Sequence, residues 1–168
     1  MSIVYLVIFQ LTFNSKYGII LLRKGREKAI NMKKQITRKG VKYEISNNEI
    51  TIVGLKKKDI SNLVIPDTID GLPVKWIYAH AFMHECFETV SLPEGITKIP
   101  NATFYGCYAL REIEFRGESS TPVEIMQCGI GYCNNLITIK SKRLIKKLYG
   151  NISIQHCDKL KNIGNTIL

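Results

Sequence analysis

The feature that most constrains this chain is a pair of interleaved apolar ladders. One ladder sets an apolar residue and then two more at +3 and +5: Ile60–Leu63–Ile65, Phe87–Val90–Leu92, Leu110–Ile113–Phe115 and Leu136–Ile139–Ser141, with a weaker copy at Leu160–Ile163–Asn165. Its first members are 27, 23, 26 and 24 residues apart. The second ladder runs between them, as Ile77–Phe82, Ile99–Phe104, Ile125–Ile130 and Tyr149–Ile154. A small residue precedes each second member: Ala81, Thr103, Gly129 and Ser153. Two ladders in the same order at one period imply a stack of repeated coils.

The physical reading is direct. Residues two apart on a strand face the same side, so Val90 and Leu92 turn inward and Ser91 outward. Pro66 and Pro93 follow such strands and stop them, because proline cannot donate to the ladder. The Ile-to-Phe segment forms the opposing wall, and its small penultimate residue permits a tight bend. One coil cannot bury its apolar side alone; stacking successive coils makes a continuous core. Upstream, "VKYEISNNEITIVGL" alternates on both sides of "SNN", which predicts a hairpin. A solenoid needs a cover at its open end, and residues 41–58 are assigned to that cap.

The stretches "LVIPDTIDGLPVKWIYAHAF", "TVSLPEGITKIPNATFYGC" and "ALREIEF" resemble BspA-like leucine-rich repeats. The likeness is close over residues 41–140 and looser over 141–168. The chain departs from the pattern at coil one, which is one residue short between Phe82 and Phe87, and at Ile130, which stands in place of Phe. Nor does a clear secretion signal stand in the sequence. The resemblance implies bacterial surface or secreted proteins that serve in adhesion and protein–protein binding. The expected fold is mainly β: a short right-handed leucine-rich-repeat-type solenoid of about four to five coils, with an N-terminal β-hairpin cap. The expected division is an extension over 1–40, the cap over 41–58, and the solenoid over 59–168 with a degenerate last coil.

Motifs that would carry chemistry have plainer explanations. Cys107, Cys133 and Cys157 share one register, three residues after the second ladder's Phe or Ile. Stacking would place them about 5 Å apart, as a column of small, mildly apolar side chains. A disulfide between neighbouring coils is the alternative that this spacing allows. The missing residue in coil one shifts Cys86 out of the column. His80, His84 and Cys86 have the spacing of metal ligands on a helix, but the repeat makes this segment a surface turn. Glu112 and Glu114 lie two apart on a strand and share one solvent face. No nucleophile–base pair or phosphate-cradling loop is present, so neither an enzyme nor a cofactor is expected. Tyr105, Tyr108 and Tyr132 fall at corresponding corners, where they pack or anchor a partner. "KSKRLIKKLYG" spaces Leu144, Ile145 and Leu148 like a turn of amphipathic helix, and reads as a solvated loop or a contact for an acidic surface or membrane.

Charge is uneven. Residues 1–40 carry nine Lys/Arg against one acid, 41–140 nine against twelve, and 141–168 six against one. The basic character belongs to the ends, so no specific nucleic acid is expected as a partner. The apolar "IVYLVIFQLTF" and "IILL" are interrupted at Asn14–Lys16. Residues 1–22 thus suit a membrane or export segment, an extension preceding a start at Met32, or a packed element.

The expected function is a non-catalytic protein–protein interaction scaffold. Its candidate binding face is the outward column of the stacked strands: Thr89, Ser91, Glu112, Glu114, Thr138 and Lys140. A membrane-tethered or exported surface adhesin and a decayed repeat fragment are the alternatives, and the location is the cell surface or the cytoplasm accordingly.

Overall fold

A computed structural model describes residues 33–57, 59–164 and 166–167. The expectations for residues 1–22 and for a start at Met32 concern residues outside these. The described chain opens with β1 (Lys34–Arg38), β2 (Val41–Ser46) and β3 (Glu49–Leu55), which pair antiparallel in sequence. Both connections are two-residue turns with positive φ at each central residue: Lys39 at 48° and Gly40 at 81°, then Asn47 at 52° and Asn48 at 59°. Such turns match the right-handed twist of the strands they join. The hairpin expected around "SNN" is therefore present, and strand structure begins upstream of it at Lys34.

The coils follow as β4 (Asn62–Val64), β5 (Thr68–Ile69), β6 (Leu72–Ile77), β7 (Thr89–Leu92), β8 (Lys98–Ile99), β9 (Phe104–Tyr105), β10 (Glu112–Phe115), β11 (Val123–Ile125), β12 (Ile130–Gly131), β13 (Thr138–Ser141), β14 (Ile145–Lys147), β15 (Ile154–Gln155), β16 (Asn162–Ile163) and β17 (Thr166–Ile167). β6 joins the hairpin by pairing parallel with β3, and β5 completes that sheet. The remaining strands form three parallel sheets along the stack: β4-β7-β10-β13-β16, β8-β11-β14-β17 and β9-β12-β15. The three coils β7–β9, β10–β12 and β13–β15 each contribute one strand to each sheet in turn. This is the repeat solenoid that the ladders predict.

The core follows the ladders. Leu63, Val90, Ile113 and Ile139 are register neighbours in the first sheet, and all are buried. Phe104 and Ile130 pair in the third sheet and are fully buried. Phe82 stacks on Phe104 at 5.5 Å between ring centroids, and Phe87 meets Phe82 edge-on at 5.5 Å. The hairpin adds Val41, Tyr43, Ile50 and Ile52 to the same apolar cluster. Burying each such side chain contributes about 1.5–3 kcal/mol.

Two expectations differ in the fourth coil. Ile125 pairs with Lys147 in the second sheet, while Ile130 pairs with Ile154 in the third. The coil-three segment between those strands has five residue steps and its coil-four counterpart has seven. Lys147 therefore takes the wall position expected for Tyr149, and Tyr149 is 49% exposed. The spacing of five from Tyr149 to Ile154 arises from a two-residue insertion. The helix-like spacing of Leu144, Ile145 and Leu148 likewise ends in a strand: Ile145 is fully buried on β14, and Leu148 is exposed beyond it.

Candidate functional site

Strand pairing brings the six candidate residues together. In the first sheet, Thr89, Glu112 and Thr138 stand side by side in one row, with Asn62 and Asn162 at its ends. Ser91, Glu114 and Lys140 form the adjacent row, with Val64 at its end. Alternation along each strand buries Val90, Ile113 and Ile139 and turns the six outward. Each is half-exposed except Lys140, which is exposed.

The rows are cross-linked. Thr89 Oγ1 donates to Asn62 Oδ1 at 2.9 Å, and Ser91 Oγ donates to Glu114 Oε2 at 2.5 Å. Lys140 Nζ lies 2.7 Å from Glu112 Oε2, a diagonal ion pair, because its register neighbour is Glu114. The Glu112 carboxylate holds the Lys140 ammonium above the usual lysine range. Arg116, which the sequence reading passed over, closes one edge. It donates through Nη1 to Ser91 Oγ at 3.1 Å and through Nη2 to the Ile65 carbonyl at 2.7 Å, and pairs with Asp67 at 3.2 Å. Its sequence signal is a basic residue placed directly after a strand. The face is thus a polar lattice in which hydroxyls, carboxylates and cations are held at coil spacing.

The cysteines occupy the column that their spacing predicts. Cys107 and Cys133 are fully buried and Cys157 is half-buried. Cys107 Sγ donates to the Phe82 carbonyl at 3.0 Å, and Cys133 Sγ to the Phe104 carbonyl at 2.9 Å. Each thiol thereby bonds to the wall residue of the preceding coil. The Cys107 thiol, together with burial, pushes Cys133 up to about 12. Cys157 is raised as well, first by its contact with Cys133 and then by burial. Cys86 lies outside the column and is exposed.

The His80–Cys86 segment is turn rather than helix, with φ of 62° at His80 and 58° at His84. The His84 ring packs over Gly106, where a Cβ would come within 2.3 Å of its Nδ1. It also opens a ring column: His84 meets Tyr105 at 5.9 Å, Tyr105 meets Tyr132 at 5.0 Å, and Tyr132 stacks on His156 at 4.3 Å. The corresponding corners are thus packed on one another. Beside them lies a shallow groove of about 370 Å³ whose walls include His80, Met83, Tyr105 and Cys128. Among the described residues no three His, Cys, Asp or Glu side chains converge where a metal ion would sit.

Comparison with known proteins agrees with this geometry. A family model for the BspA type leucine-rich repeat region, in six copies, matches residues 75–166. The crystal structure of a leucine-rich repeat protein from Bacteroides capillosus ATCC 29799 superposes with a TM-score of 0.63 at 18% identity, covering 80% of this chain and 99% of that one. A leucine rich cell surface protein from Faecalibacterium prausnitzii A2-165 superposes with a TM-score of 0.51 at 19% identity, covering 79% of this chain but 39% of that one. At these identities the likeness concerns the fold. Among curated protein sequences none matches the chain. The repeats, their register and the family match agree: the chain belongs to the BspA-type leucine-rich-repeat family.

Proposed function

We propose that this chain is a non-catalytic scaffold that binds a protein partner along the two outward rows of its first parallel sheet, through Thr89, Ser91, Glu112, Glu114, Thr138 and Lys140. The observation that carries this reading is the lattice itself. The Ser91–Glu114 hydrogen bond and the Glu112–Lys140 ion pair fix polar groups across coils. Groups held in this way lose little conformational freedom on docking. Stacked repeats offer extended faces of this kind as binding surfaces. The test is an unbiased pull-down with the full chain beside a Glu112→Lys, Glu114→Lys variant. Loss of a captured protein with the fold intact supports the reading, and unchanged capture removes this face.

A second reading places the scaffold at the cell surface as an adhesin. It is favoured by the structural likeness to a protein described as a leucine rich cell surface protein. Protease treatment of intact cells separates the two locations: a surface chain is cleaved, and an internal one is protected.

A further inference from the structure

The two-residue insertion in the fourth coil makes a corner unlike those above it. From Leu148 the chain leaves β14 and turns through a short 3-10 segment, Gly150–Ile152, none of which is buried. Three apolar side chains stand in solvent at this corner: Leu148 at 36%, Tyr149 at 49% and Ile152 at 49% exposure. The loop is pinned at its base. Ser153, fully buried, donates to the Ile125 carbonyl at 2.9 Å and accepts from the Tyr149 N–H at 3.0 Å. The Leu148 N–H also reaches the Ile125 carbonyl, at 3.1 Å, and the Cys128 N–H reaches the Ile152 carbonyl at 2.7 Å. The exposure of these side chains is therefore built into the fold.

Lys146 and Lys147 precede the loop directly. Of the other basic residues nearby in sequence, Lys140 and Lys142 pair with Glu112 and Glu118, and Arg143 is buried. Glu124, across the coil boundary, is the acidic neighbour of Lys146, at 3.9 Å.

We propose that this corner is a docking tip for an anionic lipid surface, with Leu148, Tyr149 and Ile152 entering the interface and Lys146 and Lys147 meeting the headgroups. The size of the patch selects this partner. The three side chains expose on the order of 300 Å², whereas a stable protein interface buries about 800 Å² on each partner. A patch of this size leaves a protein partner short of contact, but a fluid bilayer closes around it. Tyrosine suits the headgroup level, with its ring in the apolar layer and its hydroxyl in water. Lysine stems lie along apolar surface while their ammonium groups stay with the phosphates.

The test uses the full chain with Trp76→Phe and Tyr149→Trp, so that the one indole reports from the loop and not from residues 1–32. Its emission should shift to the blue on vesicles of phosphatidylglycerol mixed with phosphatidylcholine, stay unmoved on pure phosphatidylcholine, and return as salt is raised. Lys146→Gln with Lys147→Gln should weaken partitioning by roughly tenfold to thirtyfold, at about fivefold for each basic side chain. Leu148→Ser with Ile152→Ser, both exposed positions, should weaken it further without changing the circular dichroism. An indole that ignores anionic vesicles, or partitioning that survives both pairs of substitutions, overturns the proposal. An equal shift on neutral lipid does so too. The same shift with soluble polyglutamate in place of vesicles also overturns it, and assigns the tip to an acidic protein.

Discussion

The guanidinium of Arg143 donates to the main-chain carbonyl of Glu94 at 2.9 Å, two coils back, from a position 1% exposed. It also reaches the carbonyls of Ile96 at 3.2 Å and Thr121 at 3.1 Å, so one side chain spans three successive coils. Burial lowers its pKa, and the Glu94 carboxylate acts in the opposite direction. Arg143→Ala would leave the buried Ile96 carbonyl without this donor, at about 1–3 kcal/mol, and would return the part-buried Glu94 and Thr121 carbonyls to solvent. Urea denaturation should show that loss. Arg143→Lys should recover little of it, since a single ammonium cannot reproduce the planar fork.

Tyr43 predicts an alkaline limit to stability. Burial pushes its hydroxyl up to about 12. A folded-state pKa raised above the ordinary value of about 10 favours the protonated native chain. That contribution is complete below pH 10 and is lost as pH rises toward 12, amounting to about 2–3 kcal/mol. Cys133, raised to about 12, acts with the same sign. Unfolding measured from pH 9 to 12 should lose a share of its pH dependence in Tyr43→Phe.

Thiol chemistry should sort by coil. Cys86 is exposed, whereas Cys107 and Cys133 are fully buried and bonded to carbonyls. A thiol reagent followed by mass mapping should label Cys86 in the native protein and reach Cys107 and Cys133 only on unfolding, because the thiolate is the reactive form. Early labelling of Cys133 would contradict the packed column.

Phe104 packs against two rings that also touch each other, 5.5 Å from Phe82 and 6.4 Å from Phe87. Phe104→Ala should cost about 3–5 kcal/mol and lower the denaturation midpoint accordingly. Ile130→Phe, which would bring coil three to the commoner repeat residue, should instead destabilise by about 1–3 kcal/mol, because Ile130 is already fully enclosed.

The sequence by itself determined the repeat, its period and the direction each strand residue faces. Val90, Ile113 and Ile139 alternate with Ser91, Glu112, Glu114 and Lys140 in the chain as they do in space. Those features were legible because alternation is local: a period of two fixes the side of a strand whatever lies beside it. The displacement of Cys86 was legible for a similar reason, since one missing residue moves everything up to the next strand. The Asn47–Asn48 turn was also readable, from residues that tolerate positive φ.

Only the tertiary structure decided which residue of one coil meets which of the next. Tyr149 and Ile154 match the ladder in spacing, yet Lys147 pairs with Ile125 and Tyr149 stands in solvent. A local pattern cannot separate a wall residue from an insertion of the same polarity. Arg143 is charged and reads as surface, but the carbonyls of Glu94, Ile96 and Thr121 converge on it from earlier coils. Glu112 pairs with Lys140 across a coil boundary, 28 positions further along the sequence. Register between coils is set by the summed packing of many residues, and a change of one or two residues in a turn moves it without altering the pattern in either strand.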